Sequence, residues 1–247
     1  MMIRLAIIFL MVLFCGGAAT AQDHLLAVDL AEDHIDITTG FNGAKLMVFG
    51  VQEEEGDIAI TFTGPKRSMV VRRMEKIGGI WMNGFGMNFE KIPLYYDYAL
   101  AGTEGDVALP EVLKKHGIGM GALRFGPAKK ADPQEVRAFQ QALIRNKQQK
   151  RLFPQEPEKI LFLNKSFFRA TFDIPPNVPT GDYKIKAFLF QNGKLRGVKE
   201  VGVRVAQVGM SASIYRYAHK NSLAYGIFCM VFAMAAGWFS NMIGRRV

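Results

Sequence analysis

The sequence predicts a mainly β protein, an antiparallel β-sandwich with an α-helical insertion, followed by one C-terminal transmembrane helix. Three observations carry this prediction. About eight to ten short β-type runs with turn residues between them fill most of the chain, which is typical of a sandwich. One longer segment has the start signals and the spacing of a helix. Residues 222–243 form an uncharged apolar stretch that is long enough to cross a bilayer.

The N-terminus has the three parts of a secretory signal peptide. Arg4 supplies the positive charge, residues 5–15 are apolar, and Ala19 and Ala21 occupy the small-residue positions of a cleavage site. We expect cleavage after Ala21, so that residues 1–21 leave and the rest is exported. An uncleaved anchor is disfavoured because the apolar run is too short to span a membrane.

Cysteine usage narrows the chemistry of the exported domain. The chain has two cysteines: Cys15 lies in the signal peptide and Cys229 in the C-terminal apolar stretch. The exported domain therefore has no thiol, although its compartment permits disulfides. This excludes thiol catalysis, thiol redox exchange and covalent haem attachment.

The chain is basic, with 31 lysines and arginines against 22 acidic residues and a formal net charge of +9. The export signal argues against a nucleic-acid partner. Attraction to anionic lipid headgroups or to an acidic partner would use this charge. A solvated basic surface is the simpler interpretation.

The first half of the exported domain is predicted to be built of strands. Residues 44–51 are almost continuously apolar, which predicts a buried central strand. Ile58, Ile60 and Phe62 alternate with other residues, which predicts a strand with one buried face. The glycine-rich segments 84–86 and 117–121 are predicted turns. The predicted strands are residues 25–30, 35–39, 44–51, 58–62, 69–74, 80–83 and 94–100.

Two helices are predicted in the middle of the chain, at residues 110–116 and 132–151. The second begins with Asp132 as N-cap and Pro133 in the first turn. Val136, Phe139 and Leu143 then fall on one face, and basic residues occupy much of the remainder. This pattern fits a helix packed on a sheet; a membrane-surface or partner-docking helix is the alternative.

The last third returns to strands and indicates the type of sandwich. Residues 168–174 alternate between apolar and polar side chains, and a proline-rich connection at 175–182 leads to Tyr183. This connection resembles the tyrosine corner of immunoglobulin-like sandwiches. Asn192-Gly193 predicts a hairpin turn between strands 183–190 and 198–205. We therefore expect residues 22–215 to form an immunoglobulin-like sandwich with a helical insertion near residues 110–151.

The apolar stretch 222–243 is predicted to be a transmembrane helix. Tyr225 and Trp238 near its ends suit interfacial anchors. The cleaved signal peptide sets the expected topology: a bacterial inner-membrane protein with its bulk in the periplasm and residues 244–247 in the cytoplasm. Small residues form a stripe that would allow close packing against another membrane helix, from a partner or a second copy; they are Ser222, Gly226, Cys229, Ala233 and Gly237.

The sequence predicts no catalytic, cofactor or metal site, and hence no enzyme. His24, His34, His116 and His219 lie far apart, without the spacing of metal ligands. Aromatic residues are densest between residues 81 and 98, where burial in the sandwich competes with an exposed binding surface. If exposed, that surface would include Trp81, Asn83, Phe85, Tyr95 and Tyr96.

Three segments together resemble a known family. They are the Gly-Ile-Trp-Met-Asn block at 79–83, the connection at 175–183, and the closing helix with its Arg245-Arg246 tail. The pattern resembles the alphaproteobacterial predicted transmembrane family of unassigned function, over essentially the whole mature chain. Members of that family often lie beside sulfite-exporter-type permeases, so the resemblance implies a transporter accessory role. It implies no catalytic residues.

Two functions from different classes remain. The first is a non-enzymatic accessory protein, anchored by one helix and associated with a membrane partner such as an anion permease. The second is a periplasmic module that binds a solute or an envelope component through its aromatic surface.

Overall fold

The computed structural model describes residues 25–123, 125–129, 131–209 and 217–244. The predicted signal peptide and residues 245–247 of the predicted tail lie outside these ranges. Within them the chain is mainly β, with three sheets, a group of helices inserted between strands, and one C-terminal apolar helix. The predicted fold class is confirmed at this level.

The first sheet has four antiparallel strands. Their spatial order is β1 (Leu26–Leu30), β3 (Ala44–Gln52), β11 (Phe167–Ile174) and β10 (Leu161–Phe162). In β3 buried and exposed residues alternate, and Met47 and Val51 are exposed. β3 is a central strand of this sheet, as predicted, but it is buried on one face only, because the outer face of the sheet is open.

The second sheet has six strands. Their order is β2 (His34–Ile37), β13 (Lys194–Gln207), β12 (Gly181–Gln191), β4 (Asp57–Thr63), β7 (Tyr96–Leu100) and β9 (Glu158–Lys159). The pairs β2–β13 and β7–β9 are parallel, and the others are antiparallel. Its inner face packs against the first sheet, and fully buried side chains such as Val48, Phe172, Ile60 and Ile185 fill this main core.

The third sheet is a long hairpin of β5 (Lys66–Ile77) and β6 (Ile80–Pro93), with the short strand β8 (Gly126–Pro127) beside β6. The helices α1 (Glu104–Val107), α2 (Pro110–His116) and α3 (Pro133–Gln149) follow β7, with a 3₁₀ turn at Met120–Ala122. The C-terminal helix α4 spans Ser222–Gly244.

A second core lies on the outer face of the six-stranded sheet. There Ala59 and Phe188 of the sheet, Phe89 of the hairpin and Phe139 of α3 belong to one buried cluster. β4 is consequently buried on both faces. The predicted single buried face was wrong because the covering side chains come from segments that are distant in sequence.

Several local predictions are confirmed. The Asp132 carboxylate accepts a hydrogen bond from the Glu135 amide at 3.3 Å, and the buried Phe139 and Leu143 face the second core. α3 is therefore a helix packed on a sheet. The hydroxyl of Tyr183 donates to the Pro179 carbonyl at 2.5 Å, which is the tyrosine corner that the sequence indicated.

Gly84-Phe85-Gly86 does not form the predicted turn, because β6 continues through it. The pairing with β5 has an irregularity opposite this segment, between Arg72 and Met74. The Glu75 carboxylate lies where a side chain on Gly84 would be. Gly84 thus allows the Glu75 side chain to lie close to the backbone inside a strand. Besides forming turns, glycine is often found at such close approaches.

Candidate functional site

Most residues between Lys66 and Gly86 of the β5–β6 hairpin are exposed. Its two-residue turn consists of Gly78 and Gly79, which have φ angles of 61° and 87°. Both angles lie in the left-handed region that glycine adopts without steric cost. The turn pairs Ile77 with Ile80, and the ladder then runs back to Lys66 and Pro93.

The base of the hairpin is fixed to the domain. Phe89 and Ile92 are fully buried in the second core, and Met87 is nearly so. Farther out, the rings of Phe85 and Phe139 lie 5.8 Å apart, and the Arg73 guanidinium lies 5.4 Å from the Phe139 ring centre. Helix α3 thus supports the hairpin as far as Arg73 and Phe85.

Beyond this support, residues 74–83 form what we call the hairpin tip. Ile80 is 68% exposed and Trp81 is 63% exposed, which is unusual for large apolar side chains. Directly paired residues share a face, so Ile77 and Ile80 lie on one face, and Trp81 lies on the other with Lys76. The tip therefore carries exposed apolar side chains on both faces.

The five residues of the predicted aromatic surface do not lie together. Trp81, Asn83 and Phe85 are on the exposed part of β6. Tyr95 is buried in the main core and Tyr96 in the second core. Neighbouring residues of an extended chain point to opposite sides, which separates the two tyrosines.

The apolar side chains of helix α4 are not covered by the rest of the described chain. It is the one described helix that is long and apolar enough to cross a membrane, and none of its candidate span, Ser222–Asn241, is buried. All five residues of the predicted small-residue stripe lie on it and are exposed: Ser222, Gly226, Cys229, Ala233 and Gly237.

An open cavity of about 780 Å³ lies at one edge of the sandwich. Proline residues 175 and 176 and the aromatic ring of Phe153 form part of its wall. Four carboxylates and two cations supply the charges around it: Asp97, Glu156, Glu158, Asp173, Lys45 and Arg151.

Asp97 is the one of these carboxylates that is buried, with 7% of its surface exposed. Its Oδ1 accepts a hydrogen bond from the Tyr98 amide at 2.8 Å, and its Oδ2 accepts one from the Tyr95 hydroxyl at 3.1 Å. Burial raises its pKa to about 7, against the effect of these two hydrogen bonds. The neighbouring Glu158 and Asp173 raise it further.

This arrangement suits the binding of a polar ligand that carries positive charge. The protonation of Asp97 near neutral pH would make such binding depend on pH. Asp97 was not among the predicted site residues. The available signal was a lone carboxylate inside the apolar and aromatic run Tyr95–Leu100.

The hairpin tip was predicted only in part. A double glycine between two β-type runs is a hairpin signal, but it does not say how far the ribbon projects. Among the described residues, no group of three or more histidine, cysteine, aspartate or glutamate side chains is placed to hold a metal ion.

A search of the curated proteins gave no match. Among solved structures, a chain from one described as "Structural basis of T cell specificity and activation by the bacterial superantigen toxic shock syndrome toxin-1" matches with a TM-score of 0.27 and 5% identity, over 74% of this chain and 99% of that chain. A likeness at that score carries no argument about the fold.

A protein-family comparison gives a match over nearly all of the described chain. The model of the family described as "Putative transmembrane protein (Alph_Pro_TM)" matches residues 25–246, which include the sheets, the hairpin, the inserted helices and α4. The resemblance stated from the sequence is confirmed. The chain belongs to this transmembrane family.

Proposed function

We infer that the protein is an exported, non-enzymatic accessory protein, anchored in the bacterial inner membrane by α4 and associated with another membrane protein. The observation that carries this proposal is the fully exposed apolar helix that follows the folded β domain. Such a helix needs a lipid or protein environment along its whole length. The bulk of the chain would lie in the periplasm.

The small-residue stripe supports a helix partner. Gly226 and Gly237 have no side chain, and Ala233 has only a methyl group. Small residues at such spacing let two helix backbones approach closely in a bilayer, where van der Waals packing drives association. The family resemblance suggests an anion permease as the class of partner, and a second copy of α4 would use the same face.

The test places leucine on this stripe in the full-length protein. Gly226→Leu and Ala233→Leu should abolish co-purification of the membrane partner in mild detergent, whereas the β domain stays folded. Ala224→Leu and Ala235→Leu are matched controls, because at about 100° per residue they lie on the opposite side of the helix. If both pairs of variants lose the co-purifying partner equally, or if neither pair loses it, helix packing through the stripe is contradicted.

A second candidate function is a periplasmic module that binds a solute or an envelope component. The cavity beside Asp97 favours it, because a concave site with a buried titratable group is a common form of binding site. A ligand that binds only the folded state raises the melting temperature. Screening cationic solutes against the full-length protein in detergent, at pH values on both sides of 7, tests this function. It predicts a larger shift at the higher pH, where Asp97 is charged.

A further inference from the structure

We propose that the hairpin tip, residues 74–83, inserts into the interfacial layer of the lipid bilayer. The proposal rests on the anchoring of the chain by α4 but does not require a protein partner. It gives the folded domain a second contact with the membrane, separate from the transmembrane helix.

The distribution of apolar side chains favours lipid as the occupant. A protein partner that lies flat on a β-ribbon covers one of its faces. Here Ile77, Ile80 and Met82 share one face, and Trp81 and Met74 project from the other. A ribbon that exposes apolar side chains on both faces fits a medium that surrounds it. Tryptophan also prefers the membrane–water boundary, because its ring is apolar and its N–H is polar.

The charges behind the turn fit an anionic surface. Lys76 is one residue from Ile77, and Arg72 and Arg73 follow toward the base. Long cationic side chains can extend from an inserted ribbon to lipid phosphates. The tip has one carboxylate, that of Glu75. Glu75 is paired with Met82, but its carboxylate lies against Gly84, farther from the turn. The apolar end of the ribbon is therefore free of negative charge.

The geometry limits the depth of insertion. The ladder between the turn and Met74 has four residue pairs, which span about 13 Å at the rise of a β-strand. This length matches the headgroup layer and the upper part of the hydrocarbon. The Gly78-Gly79 turn leads the ribbon, and its unpaired backbone groups favour the shallow end of this range because they cannot form hydrogen bonds in hydrocarbon.

The support from α3 gives the tip a fixed direction. The contacts of Phe85 and Arg73 with Phe139 hold the ribbon where it leaves the domain. A ribbon held at this point loses little further conformational freedom when its end enters the membrane.

The chain contains two tryptophans, Trp81 in the tip and Trp238 in α4, so fluorescence can report each membrane contact separately. The full-length protein is placed in nanodiscs of phosphatidylcholine and phosphatidylglycerol whose acyl chains carry bromine, a quencher that acts at short range. The Trp238→Phe variant reports the tip, and the Trp81→Phe variant reports α4. We expect quenching of both tryptophans, and for Trp81 we expect bromines near the headgroup to quench more strongly than bromines near the chain end.

A displaced tryptophan provides the matched control. In the Trp81→Phe/Trp238→Phe background, Phe162→Trp puts the reporter on an exposed residue of β10. It should stay accessible to acrylamide and escape bromine quenching. Equal quenching at positions 81 and 162 would mean that the whole domain lies on the membrane, and would overturn specific insertion of the tip.

The remaining outcomes are also decisive. If acrylamide but not bromine quenches Trp81, and bromine quenches Trp238, the tip proposal is overturned and the anchoring by α4 stands. Trp81 shielded from both quenchers would assign the tip to a contact between copies. If neither tryptophan is quenched by bromine, the anchoring by α4 fails and the tip proposal fails with it. Lys76→Gln should lower the ratio of inserted to free tip about fivefold in anionic discs, and should have little effect in phosphatidylcholine alone.

Discussion

At the scale of single residues, the most unusual side chain is the buried carboxyl of Asp97. Two hydrogen bonds stabilise its charged form, yet burial dominates and raises its pKa to about 7. In the unfolded chain an aspartate titrates near its ordinary pKa of about 4. Between these two values the folded state binds more protons than the unfolded state. The contribution of Asp97 to stability is therefore complete at low pH and is lost as the pH rises through 7.

This linkage predicts the effect of Asp97→Asn. The asparagine retains an acceptor for the Tyr98 amide but cannot ionise, so the variant should lack the loss of stability that the wild type shows between about pH 4 and about pH 7. A shift of about three pKa units corresponds to roughly 4 kcal/mol over the full titration. Urea unfolding of the full-length protein in detergent at several pH values measures it. Asp182→Asn, at an exposed carboxylate, is the control and should keep the wild-type pH dependence.

Tyr183 gives a second prediction at this scale. Its ring is buried in the main core and its hydroxyl donates to the Pro179 carbonyl. Tyr183→Phe keeps the ring but removes the donor, so it should cost about 1 kcal/mol of unfolding free energy. The midpoint of urea unfolding reports this change. The same substitution at Tyr217, which is exposed, should leave the midpoint unchanged, and an equal effect at both sites would contradict the role of the hydrogen bond.

At the scale of elements, the two hairpins show what local sequence can and cannot predict. Asn192 and Gly193 have φ angles of 50° and 72°, which asparagine tolerates and glycine adopts freely, so the predicted turn forms between β12 and β13. The start of α3 was likewise readable from Asp132. The length of the β5–β6 ribbon could not be predicted, because its pairing continues through Gly84. A glycine is needed there because the Glu75 side chain of the paired strand occupies the space beside it.

The glycine turn of the tip is open to a direct test. Gly79→Val places a β-branched side chain at a φ angle of 87°, which should cost about 1 kcal/mol or more locally. Hydrogen exchange of the amides at 74–83 should then quicken about fivefold, whereas exchange in the second core stays unchanged. Gly78→Asn is the matched control, because asparagine tolerates a φ of 61°. Slow exchange in both variants would show that the turn does not limit the opening of the tip.

At the scale of the whole molecule, the layers explain the failures of the sequence analysis. The alternation of apolar and polar residues correctly identified the side chains of β4 and β11 that face the main core, because that pattern is set by the one sheet face that each strand buries there. It did not reveal that Ala59 is covered by a layer built from the hairpin base and α3. The site had the same limitation, because Asp97 becomes unusual only when the fold buries it, with smaller contributions from the distant Glu158 and Asp173. Features that depend on a few neighbouring residues could be predicted from the sequence. Burial of a residue by segments distant in the chain could not.

The last prediction concerns the independence of the β domain from its helix. Both core clusters end at or before Val205, and no described residue of α4 belongs to either of them. A chain that ends after Val208 should therefore fold without its transmembrane anchor, and it should unfold in urea with a free energy within about 0.5 kcal/mol of the full-length value. Fractionation of cells that express it with its natural N-terminus, followed by unfolding of the purified protein, provides the measurement. Aggregation or rapid proteolysis of the shortened chain would mean that α4 also contributes to the stability of the domain.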